Sequence, residues 1–213
     1  MGRRKKLEKF ADLNTFASVL QYPLAMAGQW TAWFGNTQPI VLELGCGKGD
    51  YSLALASQHP EKNYIGIDIQ GERLWYGARA ADQAQLNNMA WLRLPIEQLN
   101  EQFLAGEVAE LWLTFPDPFP RDRQAKKRLT SPRFLQMYKT ILQPDGVMHL
   151  KTDSAELFDY SVAMVTADNG YILAAVSDVY RDQPVPSELA ITTTFERRHL
   201  AAGKTIHYLA WQW

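Results

Sequence analysis

Short apolar runs alternate with stretches of helical periodicity over residues 40–151. The runs have the length and the β-forming side chains of buried strands, and they are Ile40–Leu44, Asn63–Asp68, Ala90–Leu94, Glu110–Thr114 and Val147–Lys151. The stretches between them carry apolar residues at helical spacing, which predicts helices at Tyr51–Gln58, Glu72–Gln85, Glu97–Leu104 and Pro132–Leu142. This alternation predicts an α/β fold, in which a mostly parallel sheet carries helices on both faces.

The pattern changes after residue 151. Asp153–Val165 has the periodicity of a helix, and two strands, Tyr171–Tyr180 and Thr205–Trp213, flank an irregular segment that contains Pro184 and Pro186. A helix followed by such a strand pair predicts an antiparallel edge strand on the parallel sheet. By analogy of fold, this mixed plan with seven strands is typical of Rossmann-like methyltransferases.

The length of 213 residues fits one domain, so we predict a single domain over residues 1–213, in which residues 1–35 form a basic arm and a helical cap. No apolar run reaches the roughly 18 residues of a membrane span, and no apolar stretch follows the basic N-terminus as in a secretory signal. The single cysteine, Cys46, excludes an internal disulfide and fits a reducing compartment. We therefore predict a cytoplasmic protein.

The net charge of −1 and the isoelectric point near 6.4 argue against a nucleic-acid binder, but the cations are clustered. A phosphate backbone responds to a local patch, so clusters matter more than the sum. The largest cluster, called here the basic segment, consists of Arg121, Arg123, Lys126, Lys127, Arg128 and Arg133. The smaller clusters are Arg3, Arg4, Lys5, Lys6 and Lys9 at the start, and Arg197, Arg198 and Lys204 near the end. These clusters are either phosphate-binding patches or ordinary solvated surface.

A glycine-rich segment with an acid in front of it follows the first predicted strand. Gly45, Gly47 and Gly49 form a G-x-G-x-G pattern between a strand and a helix, where glycine lets the backbone pass close to a ligand. The dinucleotide fingerprint has a different spacing, G-x-G-x-x-G. Glu43 would repel a pyrophosphate but attract the ammonium and sulfonium groups of S-adenosylmethionine (SAM). The segment therefore favours SAM over NAD as the cofactor.

The second predicted strand also ends in an acid, Asp68. A carboxylate at this place can accept both ribose hydroxyls of an adenosine, which NAD and SAM share. The alternative is that Asp68 only caps the helix that begins near Gly71.

A third acid, Asp117, stands between Pro116 and Pro118 directly after the predicted strand Glu110–Thr114. Proline restricts both its own backbone and that of the residue before it, so Asp117 is held rigidly at the end of the strand. Amino-directed methyltransferases have an Asp- or Asn-Pro-Pro-aromatic turn there, and this chain has a variant that ends in Phe119. The alternative is a turn without chemistry.

Three motifs together resemble the bacterial tRNA (guanine-N7)-methyltransferase family. They are the Glu43 loop, Phe115-Pro116-Asp117-Pro118 with the following Lys126-Lys127-Arg128, and Thr193-Thr194-Phe195-Glu196, which is similar to the T-x-[F/Y]-E of that family. The opening Arg3-Arg4-Lys5-Lys6 also agrees. The motifs occur in the family order and span residues 40–196, most of the chain.

The resemblance implies a class I, SAM-dependent methyltransferase with a Rossmann-like sheet, which forms N7-methylguanosine in the variable loop of tRNA. It implies that Asp117 is catalytic and that the cofactor meets Glu43, Gly45, Gly47, Asp68, Leu94 and Asp117. It implies substrate contacts at Arg121, Asp153, Thr193, Thr194, Phe195 and Glu196. Leu94 departs from the family, which usually has Asp there, so the adenine contact is apolar or through the backbone, or Glu97 replaces it.

The chemistry of this transfer matches the residues that are present. Guanine N7 has a free lone pair and no proton to remove, so the enzyme needs positioning and electrostatics rather than a strong base. Cys46 then has a packing role, and the four histidines show no metal-binding spacing, so no metal is expected. Asp117 would hold the guanine or the methionine amine and offset the charge on the alkylated ring.

Base recognition has a similar explanation in the sequence. Glu196 is suited to accept hydrogen bonds from guanine N1–H and N2–H₂, which selects guanine over adenine. Phe119 and Phe195 would stack on a base that is flipped out, unless they pack in the core.

Three other functions stay open at this point. The chain could methylate another amine or base, but a small-molecule enzyme would not need a large basic surface. It could be a non-catalytic RNA-binding subunit, although such a protein has no need of Glu43, Asp68 and Asp117. An NAD oxidoreductase is disfavoured by Glu43 and the short glycine spacing. The sequence does not determine the oligomeric state.

Overall fold

The structure is a computed structural model that describes residues 3–181 and 184–213, with side chains from residue 8 onward. Its elements fall into two compact units, Met1–Leu104 and Ala105–Trp213. The single domain over residues 1–213 stays a prediction. Among the described residues, no helix has both the length and the apolarity needed to cross a bilayer.

The first unit holds four parallel strands in the order β1-β4-β3-β2. They are β1 (Val19–Gln21), β2 (Ile40–Leu44), β3 (Asn63–Asp68) and β4 (Met89–Arg93). The α-helices are α1 (Arg3–Asp12), α2 (Trp30–Phe34), α3 (Asp50–Gln58) and α4 (Gly71–Gln83). Every residue of β2 and β3 is buried, which explains why both strands appear as mostly apolar runs with the predicted bounds.

Two elements of the first unit differ from the prediction. The predicted helical cap contains a strand, because β1 pairs in parallel with β4 through Val19 and Trp91. Three half-buried residues are too few to give a periodic pattern. The predicted helix Glu97–Leu104 is a 3₁₀ helix, Ile96–Glu101, in which only Leu99 is buried. A second 3₁₀ helix covers Leu13–Thr15.

Trp91 explains why several glycines occur in the first unit. Its ring is fully buried and lies against Gly49, Gly66 and Gly77, and a methyl group on any of the three would overlap it. A bulky indole thus occupies the volume that these glycines leave open. This packing holds the start of α3 and the middle of α4 close to the sheet.

The second unit contains strands in the order β5-β6-β8-β7, and β8 runs antiparallel to both β6 and β7. They are β5 (Val108–Thr114), β6 (Leu142–Thr152), β7 (Tyr171–Val176) and β8 (His207–Gln212). The helices are α5 (Pro132–Ile141), α6 (Ala155–Ala167), α7 (Ser187–Ala190), α8 (Thr194–Ala201) and a 3₁₀ helix, Asp122–Lys127. The α/β class and the antiparallel edge are confirmed. With β1 included, the described residues contain eight strands rather than seven.

Strand β7 is shorter than predicted. It ends at Val176, and the Asp178 side chain then accepts a hydrogen bond from the Tyr180 backbone N–H, which turns the chain. The predicted irregular segment that follows includes the helices α7 and α8.

Candidate active site

The glycine-rich turn between β2 and α3 is held open by its backbone conformation. Gly45 and Gly47 have φ angles of 70° and 60°, in the left-handed region, and no atom lies within 4 Å of where their Cβ atoms would be. The N–H groups of Gly45 and Cys46 both donate to the Ile67 carbonyl, which ties the turn to β3. Glycine is therefore required at these two positions by conformation, and the turn leaves space beside its backbone.

Glu43 is 4% exposed and supports the first turn of α3. Its Oε2 accepts hydrogen bonds from the Ser52 backbone N–H, at 3.0 Å, and from the Ser52 hydroxyl. An acid at a helix N-terminus interacts favourably with the helix dipole.

Asp68 connects the end of β3 to the glycine-rich turn. Its Oδ2 accepts from the Gly47 N–H at 2.9 Å and its Oδ1 accepts from the Gln70 N–H at 2.7 Å. Gln70, and not Asp68, is the residue that precedes α4. Asp68 is therefore not the N-cap of this helix, and its carboxylate orders the turn instead.

The residues considered for an adenine contact differ in exposure. Leu94 is fully buried, and its N–H donates to the Asp68 carbonyl at 3.3 Å, whereas Glu97 is exposed. The prediction for these two residues stays open. Sequence reasoning missed Ile69, which follows Asp68 and is 56% exposed. Its exposure is set by the fold and is not visible in the sequence.

Cys46 is buried in the same turn. Burial raises the pKa of its thiol, and the negative charges of Glu43 and Asp68 raise that pKa further. A thiol with a raised pKa is a poor nucleophile, which fits the packing role expected for Cys46.

Asp117 is exposed on a loop, residues 115–120, that follows β5 and is called here the Asp117 loop. Phe115 and Phe119 on either side have φ angles of 50° and 43°, and such angles are rare for bulky residues. The Phe115 N–H donates to the Lys151 carbonyl at 2.8 Å, so one end of the loop is anchored to β6. Strained backbone of this kind occurs often at functional sites.

The basic segment divides into exposed cations and one buried cation. Arg121, Arg123, Lys126, Lys127 and Arg133 are exposed. Arg128 is only 4% exposed and is bonded to the Asp117 loop and to Glu156. For Arg128 both interpretations of the basic segment, a phosphate-binding patch and a solvated surface, are replaced by a third, because its guanidinium is bonded inside the protein.

Three described members of the smaller basic clusters are engaged with protein groups. Lys9 lies 3.8 Å above the ring of Tyr76. Arg197 donates to the Thr192 carbonyl, and Lys204 is paired with Asp153. The side chains of Arg3 to Lys6 lie outside the described residues. The basic segment thus provides the clearest group of exposed cations in the described chain.

The T-x-F-E motif forms the N-terminus of α8. The Thr193 hydroxyl accepts from the Glu196 backbone N–H at 3.1 Å, as expected of an N-cap. Glu196 itself is fully buried, and its Oε1 lies 2.7 Å from Lys151 Nζ and accepts from the Tyr180 hydroxyl at 2.6 Å. In this conformation the Glu196 side chain is not accessible to a base. The direct contact with guanine that was expected of it stays a prediction.

Lys151 and Tyr180 are the residues around this motif that sequence reasoning missed. Burial lowers the pKa of Lys151, against the opposing effect of the Glu196 charge. Burial, together with the hydrogen bond and charge of Glu196, raises the pKa of Tyr180. The sequence does not show that Lys151 is buried; a buried lysine needs an acidic partner, which here is Glu196.

The other candidate substrate residues lie near the surface. Phe195 is 51% exposed, so it does not pack in the core. Asp153 contacts Lys204 and lies 3.3 Å from His199 Nδ1, and the ring of His199 stacks on Phe115 of the Asp117 loop. Among the described residues, no group of His, Cys, Asp and Glu is arranged to hold a metal ion.

Solved structures of methyltransferases have the same fold. The 16S rRNA methyltransferase KamB superposes with a TM-score of 0.67 at 17% identity, over 89% of this chain and 94% of that one. A 16S rRNA (adenine(1408)-N(1))-methyltransferase from Catenulisporales acidiphilia, solved with its cosubstrate SAM, gives 0.57 at 15% identity, over 87% and 90%. The mostly parallel sheet with its antiparallel edge is thus that of the class I methyltransferase fold.

Sequence comparison defines the family more narrowly. The family described as "Putative methyltransferase" matches residues 37–209. The tRNA (guanine-N(7)-)-methyltransferase of Christiangramia forsetii is 42% identical over 98% of both chains. The chain belongs to the tRNA (guanine-N(7)-)-methyltransferase family.

Proposed function

We propose that this protein transfers the methyl group of SAM to N7 of a guanosine in the variable loop of tRNA. The observation that carries the proposal is an exposed acid, Asp117, on a strained loop that leads directly into the exposed cations of the basic segment, in a chain of this family. We expect the reaction to take place in the cytoplasm.

The glycine-rich turn has the features that SAM requires. The open space beside Gly45 and Gly47 is a cradle that side chains would fill. Glu43 precedes the turn in sequence, and Asp68 accepts a hydrogen bond from the Gly47 N–H. Asp68 would accept the ribose hydroxyls and Glu43 would attract the ammonium group. Ile69 adds an apolar surface for the adenine. When bound, SAM supplies an electrophilic methyl group.

The residues of this chain would contribute orientation and charge. Guanine N7 attacks with its own lone pair, so no residue needs to remove a proton, and the absence of an activated cysteine is no obstacle. Asp117 would hold the guanine or the methionine amine and would offset the positive charge that develops on the ring. This role requires a carboxylate that is accessible, as Asp117 is.

The tRNA would be bound by exposed groups of the second unit. Arg121, Arg123, Lys126 and Lys127 would contact phosphates, and Phe195 would stack on an unpaired base. Asp153, Thr193 and Thr194 are proposed substrate contacts from the family motif. A contact from Glu196 would require α8 to move, and its Oε2, which has no hydrogen-bond partner among the described residues, would then be the available acceptor.

The test is to incubate unmodified tRNA with methyl-labelled SAM and then to analyse the nucleosides by mass spectrometry. We expect one labelled product, N7-methylguanosine, in the variable loop. A matched tRNA in which the variable-loop guanosine is replaced by adenosine should remain unlabelled. Label on another atom of the RNA, or no label on the RNA, would refute the proposal and favour a different amine substrate or a binding role.

A further inference from the structure

We infer that Arg128 is a positioning residue for Asp117 and not part of the RNA-binding surface. This inference rests on the proposed function, because Arg128 would act through the proposed catalytic acid. Arg128 directly follows the 3₁₀ helix Asp122–Lys127, inside the basic segment. Its neighbours Lys126 and Lys127 are exposed, whereas Arg128 is buried.

The guanidinium of Arg128 joins the Asp117 loop to α6. Its Nε donates to the carbonyls of Pro118 and Phe119, at 3.1 and 3.2 Å, and its Nη2 donates to the Phe119 carbonyl at 3.0 Å. The same Nη2 donates to Glu156 Oε1 at 2.6 Å, and the guanidinium lies 4.4 Å from the ring centre of Tyr160. Glu156 and Tyr160 both belong to α6. One side chain therefore joins the carbonyls of Pro118 and Phe119, the two residues that follow Asp117, to a regular helix.

The Asp117 loop needs a donor from elsewhere in the unit. Pro116, Pro118 and Pro120 have no N–H groups, so the loop can form few backbone hydrogen bonds of its own. Phe115 and Phe119 have positive φ angles, a strained conformation that persists only where the surroundings impose it. The bonds from Arg128 to the Phe119 carbonyl act at one of these two strained positions.

Lysine cannot replace arginine in this arrangement. The planar guanidinium presents five donors in a fixed fork and reaches two carbonyls and a carboxylate together. An ammonium group is a compact charge that lacks this geometry. Substitution by lysine should therefore keep the charge of the basic segment and release the loop. Asp117 would then lose its fixed position, and a displacement of about 1 Å at a reacting centre can lower a rate roughly 100-fold.

The experiment compares Arg128→Lys with Lys126→Ala. The measurements are the single-turnover rate at saturating tRNA and SAM, the tRNA affinity at several salt concentrations, and the melting temperature. We expect Arg128→Lys to lower the rate roughly 10-fold to 100-fold while the tRNA affinity and its salt dependence stay within about twofold of the unaltered protein. Lys126→Ala, which removes a proposed phosphate contact, should instead weaken tRNA binding and flatten its salt dependence.

A second variant covers the case in which Arg128→Lys does not fold. Glu156 is half exposed, so Glu156→Gln weakens one end of the clamp with little effect on the core, and it should lower the same rate by a smaller factor. A further variant, Arg128→Ala, removes the guanidinium altogether. Guanidinium ion added to this variant should restore part of its lost methylation rate. An unchanged rate in Arg128→Lys, or in Glu156→Gln if the former does not fold, would overturn the inference. So would a loss of tRNA affinity with a flatter salt dependence in Arg128→Lys.

The proposed function and this inference fail in different ways. If the unaltered protein does not methylate tRNA, the proposed function is wrong. Suppose instead that the unaltered protein is active, that Asp117→Ala has a strongly lowered rate, and that Arg128→Lys retains the full rate. The function then stands, and only the role of Arg128 is refuted.

Discussion

The glycine-rich turn of the first unit and the Asp117 loop of the second present their acids in opposite ways. Glu43 and Asp68 are buried, and both accept hydrogen bonds from backbone N–H groups that shape the turn. Asp117 is exposed on a loop with prolines on both sides and phenylalanines in a left-handed conformation. The conformations also differ in origin, because glycine adopts positive φ without strain and phenylalanine does not.

This difference shows in which region an acid can serve both ligand binding and stability. In the glycine-rich turn, the acids proposed to bind the cofactor also stabilise the fold, so ligand affinity and stability are coupled there. In the Asp117 loop, the acid contributes little to the fold, and the surrounding residues hold it in place. A residue proposed to act on the reacting atoms is therefore separated from the residues that maintain its position.

The largest expected effect concerns the buried acid Glu196. It tests whether a buried acid serves the stability of the fold. Glu196→Gln would leave the buried Lys151 without a charged partner, and we expect a loss of about 3–5 kcal/mol in the free energy of unfolding. Chemical denaturation would measure it. The double variant Lys151→Met with Glu196→Gln removes both charges and should recover part of the loss. If Glu196→Gln has the unfolding free energy of the unaltered protein, the buried Glu196 charge does not stabilise the fold.

The next expected effect concerns activity at Asp117. Asp117→Ala should lower the rate of tRNA methylation roughly 100-fold to 1000-fold, the range for losing one preorganised electrostatic group. Because the side chain is exposed, the melting temperature should change little. Steady-state kinetics together with thermal melting would test both statements. A large drop in melting temperature would mean that Asp117 stabilises the fold as Glu43 and Asp68 do. The contrast between the two regions would then be wrong.

The sequence predicted the parts of the fold that bury both faces of a strand. β2 and β3 were predicted with their observed bounds, because a strand that is buried along its whole length consists mostly of apolar residues. β1 escaped prediction because it has three half-buried residues. Helical spacing between residues 97 and 104 did not distinguish an α-helix from the 3₁₀ helix that is present, since a short segment with one buried leucine satisfies both.

The candidate site was predictable in its residue types but not in its contacts. The three acids near the strand ends were identified from their motifs, yet charge alone does not reveal whether a side chain faces solvent. Arg128 and Lys127 are adjacent cations, and only one is buried. The burial of Glu196 depends on Lys151, which lies 45 residues away in sequence on a different element, and such pairing is set by tertiary structure.

A smaller effect is expected for the acids of the glycine-rich turn. Glu43→Gln and Asp68→Asn should each weaken SAM binding by about 1–3 kcal/mol, the range for losing a charged hydrogen-bond partner. Both should also lower the melting temperature, because Ser52 and Gly47 lose a charged acceptor. Calorimetric titration and thermal melting of the same samples would show whether the two losses occur together. Weaker SAM binding at full stability would separate cofactor binding from folding in this turn.

The smallest expected effect concerns the exposed cations that follow the Asp117 loop. Lys126→Ala combined with Lys127→Ala should weaken tRNA binding and flatten the dependence of log affinity on log salt by about 2 units, since each cation that contacts a phosphate releases close to one counterion. The methylation rate at saturating tRNA and the affinity for SAM should be retained. Arg128 stays unaltered in this variant because its guanidinium is bonded inside the second unit.

The result of this last measurement decides how far the comparison extends. If the two lysines are a solvated surface, the double variant will have the same tRNA affinity and a parallel salt dependence. That outcome would remove Lys126 and Lys127 from the RNA surface and would direct attention to Arg121, Arg123 and the N-terminal arm. A flattened slope with a retained rate would show that exposed cations bind the RNA while the rate depends on other groups. Measuring both proteins at four or more salt concentrations, roughly 50–200 mM, gives the slopes the precision that this distinction requires.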